Sequence, residues 1–111
     1  MKTIKKLYRL VSSLENEDYT NTQQIRCLDT TLQVKEFFLK KTEALQYAQL
    51  ADVADFDPPY TYIWEIILID NFKSSEVLDF LTLDTFKAAI IDENDLNYFN
   101  NCIKLVKQNE R

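Results

Sequence analysis

The sequence predicts an α+β fold: a small, mostly antiparallel sheet packed against helices, with a helical C-terminal third. Three observations carry that expectation. Residues 60–69 form the densest β-type run, residues 43–51 the densest helix-forming run, and from Ser74 onward apolar residues recur at helical spacing. An all-α bundle is the alternative, because residues 3–11 and 60–69 also fit a period of 3.6.

Taken in order, residues 3–11 place Ile4, Leu7, Tyr8 and Val11 at helical spacing, while Ile4, Lys6, Tyr8 and Leu10 half-fit a strand; strand is preferred. Ser12 to Thr22 is polar, with Glu15-Asn16-Glu17-Asp18 at its centre, and reads as an exposed loop. Residues 24–39 contain Ile25, Cys27, Leu32, Val34 and Phe37-Phe38. Alternation in Leu32-Gln33-Val34-Lys35 and a turn at Asp29-Thr30-Thr31 predict a hairpin of two short strands.

Thr42 reads as a helix N-cap with Glu43 in the first turn, where a carboxylate suits the dipole. Ala44, Tyr47, Ala48 and Ala51 share one face. The helix ends before Asp57-Pro58-Pro59, because the residue before a proline is pushed out of helical space. In residues 60–69, four Ile, one Thr and three large aromatics would lose much side-chain freedom in a helix, so the segment is read as a central strand. Tyr60, Tyr62 and Trp64 would then share one face, a possible hot spot beside an acidic loop. Beyond it, Ser74 or Ser75 caps a helix over 76–81, and Asp84 caps one over 85–91. Asp95 caps a last helix with Leu96, Phe99, Ile103 and Val106 on one stripe and Lys104 and Lys107 near its end.

Length and composition indicate one globular domain over residues 1–111. Seven Phe, six Tyr and one Trp supply the side chains for a real core. The formal net charge of −5 is unevenly spread. Residues 1–46 hold eight Lys and Arg against six Asp and Glu, while residues 47–103 hold eleven acids against Lys73 and Lys87 alone. A field of that sign repels nucleic-acid backbones and attracts cationic surfaces.

Residue types that are missing narrow the chemistry. With no His, no His-dependent triad or zinc site can form, and Cys27 and Cys102 stand 75 positions apart without a CxxC pair. With no Gly, the glycine-dependent phosphate loops and nucleophile elbows are absent, and turns must use Asn, Asp, Ser and Pro. Asp52, Asp55 and Asp57 approximate the spacing of a calcium loop but lack its sixth-position Gly and twelfth-position Glu; Asp92-Glu93-Asn94-Asp95 fails the same test. The basic start, Lys2 to Arg9, lacks the apolar stretch of a signal peptide, and no segment has the length of a membrane helix.

These readings lead to a non-enzymatic expectation: a small acidic, cytoplasmic binding protein, of the inhibitor or immunity type, that blocks a basic partner such as a nuclease toxin. The expected contacts are Asp52, Asp55, Asp57, Tyr60, Asp92, Glu93 and Asp95. No catalytic residue, metal, cofactor, membrane contact or direct nucleic-acid contact is expected. The alternatives are an anti-defence inhibitor of a nucleic-acid-guided nuclease and a structural or adaptor subunit. Oligomeric state is not legible in the sequence.

Overall fold

The computed structural model describes residues 4–28, 34–83 and 85–111. Among these residues the elements run β1 (Lys6–Val11), α1 (Ser13–Thr22), β2 (Val34–Phe38), α2 (Lys41–Val53), β3 (Tyr62–Leu68), α3 (Ser74–Val77), β4 (Asp79–Leu83), β5 (Phe86–Asp92), a 3₁₀ turn at Glu93–Asp95, α4 (Leu96–Asn101) and β6 (Ile103–Glu110). The strands form one six-stranded sheet in the order β4-β5-β2-β1-β3-β6, and every pairing is antiparallel. The α+β expectation holds, and the all-α alternative is overturned.

Side-chain alternation gives the sheet two packed faces. One carries Leu7, Val11, Phe37, Trp64, Ile66, Leu68, Ala89 and Ile91, packed with Tyr19 of α1 and with Leu96 and Phe99 of α4. The other carries Leu10, Phe38, Ile63 and Ala88 against Ala44 and Ala48 of α2. Both alanines are fully buried, so α2 lies close on the sheet through small side chains. β3 is an interior strand, hydrogen-bonded to β1 and β6, which explains why it is apolar on both faces.

Several local expectations are corrected. Residues 13–22 are helix and not loop. The Ser12 hydroxyl accepts the Glu15 amide at 3.3 Å, Tyr19 lies 5.1 Å from the Trp64 ring, and Trp64 Nε1 donates to Asn16 Oδ1 at 2.9 Å. No apolar stripe announces this helix; single anchors to distant residues hold it. α2 matches the expected helix, but its N-cap is Lys40, without a side-chain bond, and not Thr42. Residues 24–28 form no strand, and the expected turn at 29–31 lies outside the described residues.

The C-terminal third is mostly strand. Among the described residues its helices are α3 and α4, with the 3₁₀ turn leading directly into α4. The expected helix over 85–91 is β5, registered on β4 from Leu83↔Phe86 to Asp79↔Ile90. The stripe beginning at Leu96 is helical only to Asn101; Ile103 and Val106 belong to β6, whose ladder with β3 outweighs further helix. Among the described residues of this glycine-free chain, Gln23 at 57° and Asp55 at 56° take positive φ in turns.

Candidate functional site

The site begins with a break in the sheet. β1 and β3 are registered at six residue pairs and β2 and β5 at five, but β1 and β2 meet only at Tyr8↔Phe38. A continued ladder would set Leu10 opposite Glu36. Instead the Glu36 carbonyl accepts a hydrogen bond from Arg9 Nη1 at 2.7 Å. Beyond that bridge the strands part and leave a cleft of about 480 Å³.

Three charged side chains meet at the base of the cleft. Arg9 Nε and Nη2 donate to the two Glu15 carboxylate oxygens at 2.7 and 2.8 Å, the paired geometry that guanidinium favours. Lys35 Nζ reaches Glu15 Oε1 at 3.4 Å. Arg9 is 9% exposed and Lys35 6%. Burial pushes the Glu15 carboxyl up, but the charges and hydrogen bonds of Arg9 and Lys35 outweigh it and hold it below the usual range. Lys35 is shifted down, first by burial and then by Arg9, against the pull of Glu15. The Arg9 guanidinium also stacks 5.4 Å from the Phe37 ring.

Aromatic rings also line the cleft. Phe38, Tyr47, Phe56 and Tyr60 line it in a chain of ring contacts at 5.5 to 6.4 Å. Burial raises the Tyr60 phenol, which also interacts electrostatically with Tyr47, Glu36, Arg9 and Glu15 and so faces the cleft.

The expected contact residues surround this opening. Register places Val11, Val34, Tyr62, Asp92 and Glu110 at one end of the sheet. The segment after α2, with Asp55 and Asp57, leads into β3 at that end, and Asp92 and Glu93 leave β5 there. Asp57 and Tyr60 line the cleft itself. Asp55, Asp57, Asp92 and Glu93 are exposed, Asp95 is half-buried, and Asp92 caps the turn by accepting the Asn94 amide at 2.9 Å. Asp52 differs: its carboxylate is paired with Arg111, with one contact at 3.2 Å, and that bond lowers its pKa. The shared face expected for Tyr60, Tyr62 and Trp64 does not form. Trp64 is fully buried and Tyr62 packs beside it, whereas Tyr60 precedes β3 and packs with the opposite core.

Sequence reasoning missed Arg9, Glu15 and Lys35. The available signal was a charge set inside an apolar strand, Arg9 between Leu7 and Leu10-Val11 and Lys35 between Val34 and Phe37. Among the described residues no group of three or more Cys, Asp or Glu is arranged to hold a metal ion, and no helix is long and apolar enough to cross a membrane. Cys27 and Cys102 are free thiols. No protein-family model, no curated protein and no solved structure matches the chain.

Proposed function

We propose that this chain is a binding protein that docks the acidic end of its sheet on a basic protein surface, as an inhibitor or immunity-type protein does against a nuclease. One observation carries the reading: Asp55, Asp57, Asp92 and Glu93, from two separate segments, are exposed at the same end of the sheet and form no ion pair with any described residue. Such a surface would be steered toward a Lys- and Arg-rich groove shaped for phosphates, and would occlude it without chemistry. Asp52 contributes less than its charge suggests, because Arg111 already compensates it.

Affinity capture with the tagged chain tests this. A basic protein should be retained at about 50 mM salt and released by about 500 mM, where screening is severe. A variant with Asp55, Asp57, Asp92 and Glu93 all changed to Lys should fold and capture none of it. Retention of the same partner at high salt, or by the charge-reversed variant, would instead point to an adaptor or structural subunit held by apolar contact.

A further inference from the structure

The cleft between β1 and β2 has features that protein docking does not require. Its volume, about 480 Å³, falls in the range of roughly 300–1,000 Å³ usual for small-molecule sites. Its base holds two buried cations that share one carboxylate, Glu15. The Lys35 ammonium has three donors, and its one hydrogen bond among the described residues is the 3.4 Å contact with Glu15. The remaining carboxylates of the lining, Glu36 and Asp57, are half-exposed and exposed, so water screens them more than it screens the base. The same cleft is also lined by the rings of Phe38, Tyr47, Phe56 and Tyr60.

We propose that this cleft binds a small, singly charged organic acid with a planar ring, its carboxylate seated between Lys35 and Arg9 and its ring against Tyr47, Phe56 and Tyr60. One negative charge matches the single unbalanced positive charge at the base. A doubly charged phosphate would meet Glu15 there and pass Glu36 and Asp57 on entry. The rings of Phe56 and Tyr60 are 6.2 Å apart and tilted by 60°, which leaves a ring face and a ring edge for an aromatic guest. This inference is independent of whether the acidic rim contacts a protein.

Titration of the full chain with naphthoate, followed by backbone amide NMR shifts, tests it, with naphthamide as the uncharged control and adenosine monophosphate as the phosphate control. Naphthoate should give saturable shifts at residues 9–12 and 34–36, with affinity about tenfold or more weaker in Lys35→Met, as loss of a charge-assisted bond implies. Phe56→Ala, a change at an exposed rim position, should weaken it as well and serves as the test if Lys35→Met does not fold. Absence of saturable shifts with naphthoate overturns the proposal, as does equal binding of naphthamide or unchanged affinity in the variants. Tighter binding of adenosine monophosphate overturns the singly charged class.

Discussion

Arg9 is almost removed from water, and three of its N–H groups are committed, two to Glu15 and one to the Glu36 carbonyl. Such a pair is asymmetric in energy. The intact pair adds little net stability, but removing one partner strands a buried charge. Glu15→Gln should therefore destabilise the protein by about 3–5 kcal/mol, read as a lower urea midpoint, while replacing Arg9, Glu15 and Lys35 together by Met, which leaves no buried charge unpaired, should cost much less. The pH dependence has a definite sign. Glu15 has a folded-state pKa below its ordinary value of 4.5, so its contribution is complete above that value and is lost as pH falls through the folded-state pKa. Wild-type stability should fall more steeply in acid than that of Glu15→Gln.

At the scale of elements, the helix α1 shows what a period-based reading overlooks. Residues 13–22 are polar almost all round, and only Tyr19 among them is buried. Helical propensity alone would leave ten such residues marginal in water. The helix persists because Arg9, Trp64 and Gln108 each bond to a residue in it, Gln108 Nε2 reaching Asn16 Oδ1 at 2.9 Å. Arg9 is six positions from Glu15, but Trp64 and Gln108 are 48 and 92 positions from Asn16, so no local window contains those two. Tyr19→Ala should cost about 3–5 kcal/mol and make residues 13–22 the first segment cut in limited proteolysis. By contrast, α2 and β3 were legible because composition and pattern agreed within each segment. In β5 they did not: Ala88-Ala89 favours helix, Ile90-Ile91 favours strand, and pairing with β2 and β4 settles it.

For the whole molecule, the charge pattern and the fold agree in part. Asp55 and Asp57 lie in the connection before β3, and Asp92 and Glu93 at the end of β5; connections in an antiparallel sheet collect at its two ends, so these two clusters distant in sequence come to share one end. That much was legible from composition. The cleft was not, because Arg9 and Lys35 become neighbours only when β1 and β2 are placed side by side. Reversing Asp55, Asp57, Asp92 and Glu93 removes exposed charges without ion-pair partners among the described residues. The thermal midpoint should fall by roughly 10–15 °C with unfolding still cooperative, because Asp57 and Glu93 are plain surface changes of about 0.5 kcal/mol or less each, whereas Asp92 also loses its cap on the Asn94 amide and Asp55 its place at positive φ, about 1 kcal/mol each. A larger drop would assign these acids to the fold and not to recognition.

The single register pair between β1 and β2 also bears on how the molecule opens. The sheet consists of two three-stranded halves, β4-β5-β2 and β1-β3-β6, each laced by a full ladder and joined by Tyr8↔Phe38 and the Arg9 bridge. Cooperative units of opening tend to follow such divisions. In hydrogen exchange, the amides of Leu10 and Glu36, which face the seam, should exchange well before those of Trp64 and Ile66. The two halves should protect their own amides to different free energies, so that the protein breathes along a line through the middle of its sheet while both outer ladders remain closed.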